Sequence, residues 1–259
     1  MAGLRVFRSF FQYLVITAGL LFFALPIYAS TVFAFRNQEG SYTLDPIRAA
    51  SENETLMESL YLTLRIASGT VLLTLLILVP TVAYIHLVIP KSRGWIEFLT
   101  LTPLVIPPIV QGVGFLYSMP AQLKSTPYAL IFAYVILALP FSYRAIDSAF
   151  SSIDIRTLYD ASVSLGGSFF TVIRRVLVPN VTTGIYGAVF LTIALVLGEF
   201  AYASLLLWDT FPTVLAVAGM SGASTAVALS VLSLVGVWLV LTSITFFSRK
   251  NNSIMVGVK

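Results

Sequence analysis

The sequence predicts an all-α membrane protein with six transmembrane helices and a helix–turn–helix loop between the fourth and fifth. Of its 259 residues, 58% are hydrophobic and only 10% are charged, whereas soluble domains usually carry about a quarter of charged residues. Runs such as "TVLLTLLILVPTVAYIHLVI" are apolar on every side, while the strands of a membrane barrel would alternate. With about 20 residues per span, there is room for six or seven helices and little else. We therefore expect a single membrane domain over residues 1–259.

Six apolar segments are long enough to cross a bilayer. They lie at about 11–35, 59–88, 95–118, 127–149, 180–207 and 225–247. The first follows Arg5 and Arg8 but is too long for the apolar region of a signal peptide, so it is predicted to remain as a span.

The third segment contains "TPLVIPPIVQGVGF", with adjacent prolines, Gln111 and two glycines. Proline removes a backbone donor, and membranes tolerate this where neighbouring groups satisfy the freed carbonyls. This predicts a broken or bent helix that faces protein or a water-filled path. A kink that serves packing alone stays equally open.

Basic residues predict the orientation. With the N-terminus in the cytoplasm, ten of the fifteen Lys and Arg residues lie on the inner side, as the positive-inside rule requires. These ten are Arg5, Arg8, Lys91, Arg93, Arg156, Arg174, Arg175, Arg249, Lys250 and Lys259. Both termini and the loop after the fourth span are therefore expected in the cytoplasm. Most of the acids, including Glu39, then fall on or near the outer side.

Several chemistries are excluded by composition. The chain has no cysteine and a single histidine, His86, so neither a disulfide framework nor a histidine or thiolate metal centre is expected. The net charge of +4 follows from the positive-inside pattern and does not indicate a nucleic-acid partner. The phosphate-loop pattern GxxxxGK[ST] is missing. We expect no metal, no cofactor and no catalytic residue in the chain itself.

The loop at about 150–179 is the longest predicted inner connection. Its first half, "SSIDIRTLYDASVSL", carries an apolar stripe at helical spacing. The stripe consists of Ile155, Leu158, Ala161/Ser162 and Leu165. Gly166 and Gly167 are placed to end this helix, and Ser168 to cap a second one. Pro179 suits the first turn of the fifth span. The length of the loop indicates either a docking element or an incidental amphipathic connection.

The spacing within this loop resembles the EAA loop of ATP-binding-cassette (ABC) importer permeases. That pattern is Glu-Ala-Ala, three residues, Gly, nine residues, Ile, one residue and Leu-Pro. Here Asp160, Ala161 and Ser162 are followed by Gly166 and Pro179 at the matching offsets, with Val176 and Val178 at the aliphatic positions. Asp160 and Ser162 depart mildly from the pattern. A shorter acid would alter a salt link to an ATPase subunit.

The resemblance implies a permease of MetI-like fold in the prokaryotic cytoplasmic (inner) membrane. Such permeases pair as dimers, and a heterodimer is favoured here. Each loop contacts a cytoplasmic ABC ATPase dimer, which hydrolyses the ATP, while an extracellular solute-binding protein delivers a small polar solute. The chain would then be a non-catalytic transport subunit in the lipid bilayer. Its ATPase-coupling residues would be Asp160, Ala161, Ser162, Gly166 and Pro179.

The third and fifth spans resemble the branch that serves polyamines, iron(III), thiamine and aminophosphonates. Spermidine or putrescine is favoured, although Gly198-Glu199-Phe200 stands where polyamine permeases often carry paired acids. Oxyanions and sugars are further alternatives. The candidates for the substrate path are Glu199, Gln111, Tyr117 and Tyr202.

Other ionisable residues have simpler predicted roles. Glu199 is expected near the outer interface, where Arg65 is a possible partner. Arg144 and Asp147 are predicted to pair at i, i+3, and His86 to lie at an inner interface.

Two other functions compete with an importer subunit. A self-sufficient secondary transporter or channel would show inverted repeats or ion-coupling charges inside the spans, and neither is evident in the sequence. A membrane anchor or assembly factor would show no solute-dependent uptake defect on deletion.

Overall fold

The computed structural model describes residues 2–36 and 40–256, with side chains placed within 11–243. Its helices are α1 (Ala2–Phe35), α2 (Asp45–Ser51), α3 (Glu54–Val88), α4 (Arg93–Thr100), α5 (Thr102–Val105), α6 (Pro108–Ser118), α7 (Ala121–Lys124), α8 (Ala129–Ser151), α9 (Ile155–Ser164), α10 (Phe169–Val172), α11 (Val178–Asn180), α12 (Thr182–Gly198), α13 (Ala201–Leu205), α14 (Phe211–Ser221) and α15 (Ala223–Val256). A 3-10 turn leads into α4, and a π-helical turn at Ile173–Leu177 joins α10 to α11. Glu39 and Lys259 lie outside the described residues, as do the side chains of Arg5, Arg8, Arg249 and Lys250.

The all-α prediction is confirmed. Over the described ranges no strand forms, and one isolated bridge joins Arg36 to Tyr42. Three helices are long and apolar enough to cross a membrane: Phe11–Phe35 of α1, α3 and α8. Two bent helix pairs would raise this number to five. The apolar stretches Phe211–Met220 and Ala223–Leu239 are shorter, so the count of six spans stays a prediction.

The described chain forms two compact units. One contains α1, α2 and Val214–Gly236, and the other is built on Glu58–Thr213. The second unit holds the long inner loop and every residue proposed for the substrate path. The single domain over 1–259 stays a prediction.

The second unit is organised around the pair α8 and α12. Gly184 of α12 lies so close to α8 that a Cβ there would come within 2.5 Å of the Ala149 Cβ and 2.6 Å of the Ala145 carbonyl oxygen. Further along the pair, the buried hydroxyls of Ser142 and Thr192 are 3.0 Å apart and hydrogen-bonded. Small residues and hydroxyl pairs of this kind join helices in lipid. Apolar burial contributes little there, because lipid tails are as apolar as the helix faces.

The third and fifth predicted spans are not straight helices. The segment Pro90–Val105 meets α6 at 99°, with the break at Ile106 and Pro107. The helix Phe169–Asn180 meets α12 at 81°. The prediction of a broken third segment is confirmed, and the adjacent prolines explain it because neither has a backbone N–H to continue the helix.

Candidate functional sites

The loop between α8 and α12, residues 152–181, begins with a capped helix. The Asp154 carboxylate accepts hydrogen bonds from the Thr157 backbone N–H at 3.2 Å and from the Thr157 hydroxyl at 2.7 Å. These hydrogen bonds lower the pKa of the exposed Asp154 below its ordinary value. An acid that caps the N-terminus satisfies an otherwise unpaired backbone donor, so α9 has a defined start.

The turn after α9 is a Schellman motif. The Gly166 N–H donates to the Val163 carbonyl at 2.8 Å, and the Gly167 N–H donates to the Ser162 carbonyl at 3.0 Å. Gly166 has φ +84°, which glycine adopts at little cost. A Cβ at Gly167 would lie 2.8 Å from the Ser162 carbonyl oxygen. The predicted helix stop is therefore confirmed. Glycine is required at position 166 for its positive φ and at position 167 for the close approach to the Ser162 carbonyl oxygen.

The second half of the loop differs from the prediction at its end. Ser168 caps α10 as predicted, since its hydroxyl accepts from the Thr171 N–H at 3.4 Å. Pro179, however, lies in the last turn of the loop helix, before the bend at Val181, and the fifth helix begins at Thr182. The placement of Pro179 in the first turn of the fifth span was wrong. The loop helix runs past Pro179, since the Val181 N–H still donates to the Leu177 carbonyl at 3.1 Å, and it follows a π-helical turn that departs from α geometry.

The tip of the loop is apolar and exposed. Leu165 is 90% exposed and Phe170 is 71% exposed. The predicted stripe holds for Ile155, which is buried, and for Leu158, which packs against the same core. It fails at Leu165, because the chain has turned at Gly166 and carries this side chain outward. Asp160 and Ala161 are exposed beside this tip, and Ser162 is half-buried.

A polar cluster closes the break between α5 and α6. The Gln111 side-chain amide donates to the carbonyls of Pro103 at 2.5 Å and Ile106 at 2.7 Å. These hydrogen bonds supply donors to carbonyls that the break has left without helical partners. The Gln111 carbonyl oxygen accepts from the Tyr202 hydroxyl at 3.0 Å. Gln111 thus connects the break to α13.

A second break is closed by Glu199. Helix α12 ends at Gly198, and the Glu199 carboxylate oxygens accept from the Tyr202 N–H at 3.0 and 3.2 Å. Glu199 therefore caps α13. Among the described side chains, no ion pair joins Glu199 to Arg65, which lines an open cavity with Glu58 and Tyr61. The possible Glu199–Arg65 pair does not form, and the carboxylate instead accepts from the Tyr202 backbone N–H.

The ion pairs near the loop also differ from the prediction. Asp147, with an 8% exposed side chain, accepts two hydrogen bonds from Arg93, at 2.9 and 2.5 Å, and lies 2.8 Å from His86 Nε2. Arg144 instead pairs with Glu97 at 3.5 Å. The predicted Arg144–Asp147 pair is wrong, and His86 is buried among helices. Arg93 and Glu97 carry their charges in the same order as Arg144 and Asp147, which permits two ion pairs between the helices but does not predict that the helices pack together.

Known proteins give the context for this geometry. No family model matches the chain. A probable molybdenum ABC transporter permease protein of Haloferax volcanii is 31% identical over 192 residues, which cover 70% of this chain and 67% of that protein. The molybdenum transport system permease protein ModB of Azotobacter vinelandii is 30% identical over 161 residues, 56% of this chain and 70% of its own length. The chain is an ABC transporter permease.

A third relative agrees with this family at lower similarity. A probable ABC transporter permease protein of Sinorhizobium fredii is 23% identical over 214 residues, which cover 76% of this permease but only 37% of that protein. Family membership and the apolar helices together make the permease a multi-pass membrane protein and a transport subunit.

The permease brings three of the four substrate-path candidates together. Gln111, Glu199 and Tyr202 form one hydrogen-bonded cluster, whereas Tyr117 is 82% exposed on the surface of α6. Sequence spacing could not predict this grouping, since Gln111 and Tyr202 are 91 residues apart.

Proposed function

We propose that this permease is the transmembrane subunit of an ATP-driven importer, and that its 152–181 loop contacts a cytoplasmic ABC ATPase dimer. The observation that carries this proposal is the shape of the loop in a chain with permease relatives: two capped helices, a Schellman turn and an exposed apolar tip. An exposed apolar patch on an otherwise polar segment is typical of a protein-binding surface. Asp160, Ala161, Ser162, Gly166 and Pro179 are the proposed coupling residues.

Charge supports a cytoplasmic position for the loop. Arg156, Arg174 and Arg175 are exposed on it, and the positive-inside rule puts such residues in the cytoplasm. Both termini then lie in the cytoplasm as well, and the segment with α2 lies outside. The protein would reside in the prokaryotic inner membrane.

The docking proposal is tested by substituting the exposed tip. Leu165→Asp places a charge on the apolar tip without removing any packed side chain, so it should abolish co-purification with the ATPase while the chain remains in the membrane. Leu44→Asp is the matched control, because Leu44 is also an exposed leucine, 71% exposed, in the segment proposed to lie outside. The control should bind the ATPase as the parent does. Undiminished binding by Leu165→Asp would contradict the proposal.

The remaining partners follow from the importer proposal. The permease would pair with a second permease subunit, a related chain in preference to a copy, and receive solute from an extracellular binding protein. Co-expression with tagged copies of this chain should then recover little self-association. A stable homodimer that is active in transport would show that the second subunit is a copy.

For the solute we propose a small oxyanion. Two relatives are named as molybdenum transport permeases, and no relative named here supports spermidine or putrescine. Uptake of molybdate in proteoliposomes with ATPase and binding protein should exceed that of spermidine. Spermidine uptake without molybdate uptake would restore the polyamine alternative.

A further inference from the structure

The buried ion cluster around Asp147 lies where three segments meet. Asp147 belongs to α8, His86 to the end of α3 and Arg93 to the start of α4. Two partners engage the one carboxylate, and Arg93 binds it through both oxygens. Two parallel hydrogen bonds from one guanidinium to one carboxylate fix the direction of the Arg93 side chain as well as its distance from Asp147. The cluster therefore sets how the end of α3 and the start of α4 are oriented on α8.

Helix α4 has limited apolar packing: Ile96 is partly buried against the core that contains Phe150. None of its residues is buried, and Trp95, Phe98 and Leu99 are exposed. Two ion pairs of opposite polarity join it to α8: Arg93 with Asp147, and Glu97 with Arg144. Sliding α4 along α8 would bring like charges towards each other, which is unfavourable. The ion pairs therefore fix the register of α4.

The same cluster borders the base of the 152–181 loop. The His86 ring lies 5.8 Å from that of Phe150, a fully buried residue at the end of α8. Phe150 belongs to the core that also contains Ile155, Val172 and Leu177 of the loop. The base of the loop and the end of α3 are thus packed as one body, and α4 is joined to this body through the packing of Ile96 and through the ion pair of Arg93 with Asp147.

We propose that Asp147 is a positioning residue that joins α4 to the base of the loop, so that displacement of the loop is passed to α4 and to the break at Ile106–Pro107. This inference rests on the proposed function, in which the ATPase moves the loop. A buried ion cluster is a weak source of stability compared with apolar packing, whereas it specifies one relative position of the helices that it joins.

A fluorescent label on α4 tests the proposal without knowledge of the solute. The chain has no cysteine, so Trp95→Cys, at an exposed position, provides a single site for an environment-sensitive fluorophore. In the labelled permease–ATPase complex, ATP with vanadate should shift the emission. Asp147→Asn, which is nearly isosteric, should retain the ATPase but lose the shift.

Two variants complete the test. Glu52→Gln removes the exposed Arg48–Glu52 pair and should keep the shift. If Asp147→Asn is poorly folded, Asp147→Asn/Arg93→Gln removes both charges, and this double variant should bind the ATPase and also lose the shift. A full shift in either Asp147 variant, or no shift in the labelled parent that binds the ATPase, would overturn the inference. A parent that does not bind the ATPase would instead overturn the proposed function, and this inference with it.

Discussion

The two ends of α8 are held by different kinds of polar contact. At the end that begins with Ala129, Tyr134 packs against Tyr202 with ring centroids 6.4 Å apart, and Tyr202 donates a hydrogen bond to the neutral Gln111. The Glu199 carboxylate at this end accepts from the Tyr202 backbone N–H and belongs to none of the ion pairs between described side chains. At the end that stops at Ser151, the buried Asp147 carries its charge between Arg93 and His86.

This difference separates a fixed end from an adaptable one. Loss of one partner from a buried ion pair leaves an uncompensated charge, whereas exchange of neutral hydrogen-bond partners costs much less. The charged end is therefore suited to hold the proposed ATPase-binding loop in one orientation. The Gln111 end, where two broken helices meet and no ion pair forms between described side chains, is suited to rearrange when a solute passes.

The largest expected effect is at the charged end. Arg93→Gln leaves the buried Asp147 with His86 alone. Because the Arg93 side chain is itself 39% exposed, we expect a loss of about 2–3 kcal/mol in the free energy of unfolding, at or below the low end for a fully buried pair. Denaturation of the detergent-purified permease measures it. Arg48→Gln breaks a fully exposed pair instead and should change stability by less than about 1 kcal/mol. Equal effects of the two variants would remove the distinction between the ends.

A smaller effect is expected where α12 meets α8 near the charged end. Gly184→Ala adds a Cβ that would overlap the Ala145 carbonyl and Ala149, so the helices must move apart at a cost of about 1–3 kcal/mol. Gly187→Ala is the matched control, because its Cβ would meet the Ala145 Cβ at an ordinary 3.5 Å. Thermal unfolding of both variants in one detergent compares them. A Gly184→Ala variant as stable as Gly187→Ala would show that the helix pair is loosely packed.

The Gln111 end should respond less. Tyr202→Phe removes the hydroxyl that donates to Gln111, with an expected loss of about 1 kcal/mol. Hydrogen exchange of α6 and α13 should rise in this variant. Tyr117→Phe changes an exposed tyrosine on α6 and should leave both measurements unchanged. Solute uptake by the two variants is compared as well. A larger loss of uptake in Tyr117→Phe than in Tyr202→Phe would show that the solute path lies along the exposed face of α6 and not at the cluster of Gln111, Glu199 and Tyr202.

The smallest effect is a pH dependence confined to the loop. Since the Thr157 hydrogen bonds lower the pKa of Asp154, its ionised form stabilises α9 above the unfolded pKa of about 3.9. That stabilisation is lost as the pH falls through the lower folded pKa. Protection of α9 amides, corrected for intrinsic exchange, should decrease over this acid range. Asp154→Asn keeps an acceptor but does not titrate, so its α9 should show no such decrease attributable to residue 154.

The sequence predicted features that depend on neighbouring residues. The stop at Gly166, the Ser168 cap and the broken third segment were all predicted correctly, because glycine, serine and proline act on the backbone within a few positions. Pro179 was misplaced because the same residue can begin a helix or lie near its end. Which of these occurs depends on the bend at Val181.

Features that depend on distant residues were not predictable from the sequence. The i, i+3 spacing of Arg144 and Asp147 favoured a local pair, and only the packing of α4 on α8 showed that each has a partner on the other helix. Arg65 was a possible partner for Glu199, whereas the break after Gly198 gives the carboxylate a backbone donor. The cluster of Gln111 and Tyr202 likewise depends on two breaks meeting in space.

The position of the loop tip decides most directly whether this permease binds an ATPase through the 152–181 loop. In the cysteine-free chain, Leu165→Cys and Leu44→Cys each provide one exposed thiol for a membrane-impermeant reagent. We predict that Leu165→Cys is labelled only from the cytoplasmic side and is protected when the ATPase binds. Leu44→Cys should be labelled only from outside, with or without ATPase. Labelling of Leu165→Cys from outside, or full labelling in the assembled complex, would contradict the account.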